Sequence, residues 1–191
     1  AELLSDGVDG ECALAPRTIP HDAALRVEAA GFELASTDAV AEARASKTDT
    51  EAAAVATAAD AAAAGVEAAA GTLAAATSAD ERRIDGEPLT AERLRNRVAA
   101  AVAATGATPA VDVVVGTDGQ SGTLEGGGTA TVSVWARGPT GYHARVGRTL
   151  SVDGDGGWER RAQLAAEGAL REGRAAVEAG GSAAAVAAEV R

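Results

Sequence analysis

The chain has 191 residues, a formal net charge of −11 at pH 7 and a sequence pI of about 4.6. This acidic balance argues against binding of nucleic acid or of an anionic membrane, because both need a basic protein face. The alanine-rich stretches are interrupted by Asp, Glu and Gly, so none of them is predicted to span a membrane.

The composition is unusual in its small side chains and in its cations. Hydrophobic residues make up 47% of the chain but aromatic residues only 2%, and Lys47 is the only lysine. Excess acid, scarce lysine and small hydrophobic residues favour a halophilic protein, since concentrated salt screens surface repulsion and strengthens apolar burial. A GC-rich genome would also favour Ala, Gly, Val and Arg, and this alternative stays open.

A single cysteine, Cys12, cannot form a disulfide within the chain. Its strand-like context, "ECALAP", predicts a buried thiol in a reducing cytoplasm. The first residues lack the basic and then apolar pattern of a signal peptide. We therefore expect a cytoplasmic protein.

The first quarter of the chain alternates between strand and helix patterns. Residues 11–16 and "FELAS" are predicted strands, and each is followed by a short helix, "HDAALRVEAAG" and "TDAVAEARA". Gly31 is a typical helix C-terminal stop, and the polar residues before Ala39 are typical of a helix start. This rhythm indicates an α/β layer.

Two longer helices are predicted next. Residues 50–77 are dominated by alanine, the best helix former, with Val55, Val66 and Leu73 as a candidate packing stripe and Thr48 or Thr50 as the N-terminal cap. "SADERRIDGEP" is predicted to be a polar loop. In the second helix, Thr90 is the N-cap, apolar residues recur every four positions, and Gly106 ends the helix. Those apolar residues are Leu94, Val98 and Val102.

The last third of the chain contains a predicted hairpin that carries no carboxylate. Residues 110–115 form a strand that runs into a glycine-rich loop, and "TVSVWARGPTGYHARVGRTL" forms two strands around the turn Gly138-Pro139-Thr140-Gly141. Helical stretches follow at residues 158–178 and 182–191. The hairpin holds three arginines and one histidine in a chain rich in acid.

Several short motifs in this order resemble those of a known family. They are Arg44, Lys47, Thr48 and Glu51 in the pattern Arg-x-x-Lys-(Ser/Thr)-x-x-Glu, then Gly106-Ala107, Gly116-Thr117-Asp118, Gly141-Tyr142 and Arg148-Thr149. The chain resembles the metallopeptidases with the pita-bread fold, namely the Xaa-Pro aminopeptidases and prolidases. The resemblance implies an α/β (α+β) fold class. Residues 1–43 would be the end of a creatinase-like N-terminal domain, and residues 44–191 the first half of the pita-bread domain.

The same resemblance accounts for the missing acids. In active members the hairpin supplies two aspartates that bind a pair of divalent metal ions such as Mn, Co or Zn. The matching positions here are Val134 and Arg145, and the loop before the hairpin has no histidine where the family places one. Since valine donates nothing and arginine repels a cation, we expect no bound metal or other cofactor and no catalytic residue. The remaining family ligands would lie beyond Arg191, and we expect this chain to be an excised piece of a longer protein.

Three hypotheses about function follow. The first is a pseudoenzyme whose vacated cleft binds a peptide or a protein partner, with Tyr142, His143 and Arg145 as candidate cleft residues. The second is an active metal-dependent proline-peptide aminopeptidase with divergent ligands. The third is a structural subunit that forms a homodimer or pairs with an active paralogue. The residues also permit His143 to be merely structural and Arg145 to neutralise acids on neighbouring strands.

Overall fold

The computed structural model describes residues 11–77, 82–115, 122–124, 128–151, 153–154, 156–178 and 180–190. The chain divides into two compact units, Ala1–Ala53 and Ala54–Arg191. The domain boundary predicted between residues 43 and 44 stays a prediction. Of the predicted motifs, Gly116-Thr117-Asp118 lies outside the described residues.

The first unit contains a parallel strand pair with a helix between the strands. Strand β1 (Cys12–Ala15) pairs in parallel with β2 (Glu33–Ser36), and they are connected through helix α1 (His21–Ala29); helix α2 (Ala39–Ala45) follows. Gly31 has a φ of 95°, the left-handed conformation that ends the helical segment as predicted. The α/β rhythm predicted from the sequence is confirmed.

The prediction of a buried thiol is wrong, because Cys12 is exposed. The residue lies on a strand of only four residues, and the alternation "ECALAP" is too short to define which face is covered. Cys12 borders an apolar cavity of about 300 Å³ within this unit.

Helix α3 (Asp49–Ala75) begins at a reciprocal pair of hydrogen bonds. The backbone N–H of Glu51 donates to Oγ1 of Thr48 (3.3 Å), and the backbone N–H of Thr48 donates to Oε2 of Glu51 (2.9 Å). This is a capping box, which satisfies two backbone donors at the helix start. The Thr-x-x-Glu part of the motif therefore has a local structural role.

The core of the second unit is built from small residues of α3 and branched residues of helix α4 (Ala91–Ala104). The predicted repeat on α4 is confirmed, since its apolar residues are fully buried: Leu94, Val98 and Val102. On α3 the buried face consists mainly of alanine together with Gly65 and Leu73 rather than of a valine stripe. By length and composition α3 could cross a membrane, but a core helix passes the same test, so this is weak evidence for a span.

Thr90 caps α4 as predicted, because its Oγ1 accepts a hydrogen bond from the backbone N–H of Arg93 at 3.2 Å. The segment before α4 is not only a loop. Strands β3 (Arg83–Ile84) and β4 (Glu87–Pro88) form a small antiparallel hairpin. Its turn residues Asp85 and Gly86 have φ values of 54° and 79°, as a two-residue hairpin turn requires.

The main sheet has three antiparallel strands in the order β5–β6–β7. The strands are β5 (Thr108–Val115), β6 (Thr129–Arg137) and β7 (His143–Ser151), and helices α5 (Trp158–Ala175) and α6 (Ala183–Glu189) follow. The β6–β7 ladder runs without interruption from Thr129 opposite Ser151 to Arg137 opposite His143. The predicted hairpin is confirmed.

Candidate functional site

The central strand β6 separates a covered face of the sheet from an exposed one. Successive side chains of a strand point to opposite faces. Val132 and Val134 are fully buried, whereas Thr131, Trp135 and Arg137 are exposed. We call the exposed side the open face; its residues are Thr108, Ala110, Asp112 and Val114 of β5, Thr129, Thr131, Ser133, Trp135 and Arg137 of β6, and His143, Arg145, Gly147, Thr149 and Ser151 of β7.

Val134, the first position that the resemblance assigns to a metal ligand, lies on the covered face. A Cβ atom built on Gly65 would lie 3.2 Å from Cγ1 of Val134 and 3.2 Å from Cγ1 of Val98. Val134 therefore packs in the core against α3 and α4. Its side chain is hydrocarbon and is directed away from the open face.

Arg145, the second assigned position, lies on the open face opposite Trp135. Its guanidinium carbon is 4.6 Å from the centroid of the Trp135 ring, a cation–π contact. Its Nη2 donates a hydrogen bond to Oγ of Ser133 at 3.3 Å. In the part of the chain that the structure describes, Arg145 forms no ion pair.

The two assigned positions do not share a face of the sheet. Val134 is paired with Val146, whereas Arg145 is paired with Trp135, so the two positions are offset by one residue. Because side chains alternate, this offset places them on opposite faces. Arg145 is exposed rather than buried, so it does not need an anion to compensate for desolvation.

The other predicted residues lie at the hairpin end of the sheet. His143 begins β7, is exposed on the open face and stands opposite Arg137. Tyr142 precedes β7 and is half-buried; its carbonyl oxygen accepts a hydrogen bond from the backbone N–H of Gly138 at 2.8 Å. The structure thus brings His143 and Arg145 onto one face and gives the backbone of Tyr142 a role in the turn.

Sequence reasoning missed Trp135 and Arg137 as members of this site. Both are an even number of residues from Ser133 on β6 and so lie on the same face. Trp135 is paired with Arg145, and Arg137 is paired with His143. The alternation of "TVSVWAR" carried this signal, because its valines and alanine form the covered face.

The open face offers few metal-binding atoms. Its one carboxylate is that of Asp112, opposite Ser133 on β5. Over the described ranges, no group of three or more His, Cys, Asp or Glu side chains is placed to hold a metal ion. The donor set described at this face does not fit the two-metal centre of the family, which requires several oxygen or nitrogen ligands.

Comparison with known proteins shows the fold. No protein-family model matches the chain, and no curated protein matches it in sequence. Among solved structures, the prolidase of Pyrococcus furiosus superposes with a TM-score of 0.71 and 18% identity, over 94% of this chain and 53% of that one. The dipeptidase PepE of Mycobacterium ulcerans superposes with a TM-score of 0.68 and 24% identity, over 93% of this chain and 48% of that one. The X-Pro aminopeptidase of Thermotoga maritima superposes with a TM-score of 0.69 and 14% identity, over 90% of this chain and 49% of that one.

The chain therefore has the pita-bread fold of prolidases and Xaa-Pro aminopeptidases, in partial form, since it spans about half the length of these structures. The predicted fold class is confirmed.

Proposed function

We propose that this protein is a non-catalytic relative of the prolidases and Xaa-Pro aminopeptidases whose open face binds a peptide or a protein partner. The observation that carries the proposal is which residues occupy the two assigned metal positions and where their side chains lie. Val134 is a core residue on the covered face, and Arg145 is a cation on the open face. Neither position offers a ligand atom.

The chemistry of the family depends on those ligands. Two adjacent divalent ions polarise the scissile carbonyl and lower the pKa of a bound water, and they need anionic oxygen ligands to stay in place. At Arg145 a positive charge stands where a negative one is required, so binding of a cation loses an attraction and gains a repulsion. Val134 cannot compensate, because its side chain points into the core.

The test combines metal content with hydrolysis, on the full product of the gene. The protein is incubated with Mn, Co or Zn, freed of unbound ions, and analysed for bound metal and for cleavage of Xaa-Pro dipeptides and tripeptides. We expect no metal above background and no cleavage. About two equivalents of metal per chain together with Xaa-Pro cleavage would show an active enzyme with divergent ligands and would overturn the proposal.

The pairing hypothesis stays a prediction. Helix α5 and the turn after it expose large apolar side chains, namely Trp158, Leu164, Leu170 and Val177. The three on the helix are six residues apart and point to different sides, so they form no single contact patch. Analytical ultracentrifugation of the protein alone, and with a candidate active paralogue, distinguishes a homodimer from a mixed pair. A monomer in both measurements contradicts the pairing hypothesis.

A further inference from the structure

The hairpin end of the open face is cationic, although the chain as a whole is acidic. Two neighbouring rows of the sheet contain Arg137 opposite His143 and Trp135 opposite Arg145. In a chain of net charge −11, these rows hold no carboxylate. Neither arginine forms an ion pair within the described residues. The two rows therefore form a local surface that attracts anions.

Arg145 is held in place but keeps most of its donors. Its guanidinium lies over the Trp135 ring and uses one N–H in the hydrogen bond to Ser133. A guanidinium has five N–H donors, and two of them can bind a carboxylate bidentately. Stacking fixes the plane of the group in advance, so less side-chain entropy is lost on binding.

The two arginines present their guanidinium groups at separate points of the open face. Arg137 is paired with His143, so Arg145 is its diagonal neighbour. Nη2 of Arg137 lies 3.5 Å from a Cβ built on Gly141, beside the turn, whereas the Arg145 guanidinium lies over Trp135 and reaches Ser133. An acidic partner therefore meets two separate cationic groups, each of which can hold a carboxylate.

Trp135 provides an apolar contact beside the two arginines. It lies on the central strand, is 37% exposed, and its neighbour on β5 is the small residue Ala110. The side of the indole toward β5 is thus not crowded by a long side chain. An apolar side chain of a bound peptide can pack there.

The edges of the sheet are less suited to binding than its face. Strand β7 carries Arg148 opposite Val132, a residue of the covered face, and β5 carries Pro109, which has no backbone N–H. A charged side chain and a proline on edge strands both oppose the addition of another strand. A peptide is therefore expected to lie on the open face rather than to extend the sheet.

We infer that the open face binds an acidic peptide segment, with carboxylates held by Arg137 and Arg145 and an apolar residue against Trp135. This inference rests on the proposed binding function and names the chemistry of the partner.

The experiment compares two peptides of the same length and the same apolar residues, both acetylated and amidated so that the termini carry no charge. One carries glutamates and the other carries glutamines at the same positions. Binding is followed by calorimetry and, in a Trp158→Phe background, by the fluorescence of Trp135. We expect the glutamate peptide to bind about tenfold more tightly, because the glutamine peptide loses the charge-assisted hydrogen bonds to the two arginines.

Arg137→Gln and Arg145→Gln should each weaken binding of the glutamate peptide by a similar factor. Arg171→Gln is the matched control, because Arg171 lies on α5 with its side chain 75% exposed. Circular dichroism checks that all variants keep the fold. Equal affinity for both peptides, no binding of either, or tighter binding of an oligonucleotide of the same charge would each overturn the inference. Cleavage of a bound Xaa-Pro peptide would overturn the proposed function instead, so the two failures are distinguishable.

Discussion

Replacing Gly65 by alanine should destabilise the protein, although alanine is the better helix former. Gly65 lies inside α3, where the substitution alone would be worth about 1 kcal/mol of stability. A Cβ at this position would lie 2.7 Å from Cγ2 of Val102 and 3.2 Å from Cγ1 of both Val98 and Val134. Favourable carbon contacts are about 3.5–4.0 Å long, so Val102 would have to move by about 1 Å.

That movement is difficult because Val102 is fully buried and β-branched. Overpacking of a core costs about 1–3 kcal/mol, and the close contact and stiff neighbour place Gly65 at the upper end of that range. After the gain in helix propensity, Gly65→Ala should lower the free energy of unfolding by about 1–2 kcal/mol. The measurement is equilibrium urea denaturation followed by circular dichroism.

Gly71→Ala is the matched control on the same helix. A Cβ at Gly71 meets nothing within 4 Å, so this variant should be stabilised by about 1 kcal/mol. Val102→Ala in the Gly65→Ala background should be less destabilising than the two single changes together, because it removes the clash. If Gly65→Ala and Gly71→Ala stabilise the protein equally, the packing of α3 against α4 and β6 is not as described.

Three further changes test other contacts. Arg82→Met should destabilise the protein by about 2–4 kcal/mol, because the buried guanidinium donates to the carbonyl oxygens of Leu73 and Ala76 and pairs with Asp153. Asp153→Asn should cost a similar amount in the same urea titration, because it leaves the buried Arg82 charge without its carboxylate; a loss below about 1 kcal/mol would show that solvent screens the pair. Thr48→Ala should cost about 1 kcal/mol through loss of the capping box, and an equal loss in Thr50→Ala would place the cap elsewhere. The midpoint of thermal unfolding should rise strongly in molar KCl if the acidic composition is a salt adaptation; an unchanged midpoint leaves only the genomic explanation.

Much of the fold was predictable because the pattern and the local signals agree. The four-residue repeat of α4 needs no tertiary information, and Thr90 and Gly106 mark its ends. The two strands of the hairpin likewise follow from alternation around a turn. These elements bury one face each, so the period of the sequence reports directly on packing.

Other features depend on contacts that a sequence does not display. The buried face of α3 is mostly alanine. This face is buried because α4 and β6 approach α3 closely at Gly65, a contact that the sequence pattern does not reveal. The hairpin of β3 and β4 was missed because a polar segment of six residues has no apolar period, although its Asp85-Gly86 dipeptide is a turn signal. For the candidate site, motif spacing identifies positions along the chain but not the face of the sheet on which they lie.

The face on which Val134 and Arg145 lie depends on the register between β6 and β7, and a shift of one residue would change it. For Val134 and Arg145 to share a side, one strand would need an extra residue, a β-bulge, between them and the turn. The ladder from Thr129 to Arg137 is uninterrupted, so the two positions lie on opposite faces of this sheet.

The register makes a prediction about aspartate substitutions. Val134→Asp places a carboxylate in a fully buried site among α3 and α4, where an unpaired charge costs about 3–5 kcal/mol. Arg145→Asp changes an exposed side chain and should cost less than about 1 kcal/mol. The double variant should therefore be as unstable as Val134→Asp and should not hydrolyse Xaa-Pro peptides, because its carboxylates lie on opposite faces. Urea denaturation of the three variants measures the difference. If Val134→Asp is tolerated as well as Arg145→Asp, both positions face solvent, and the ladder of β6 and β7 must contain the bulge that would bring two ligands together.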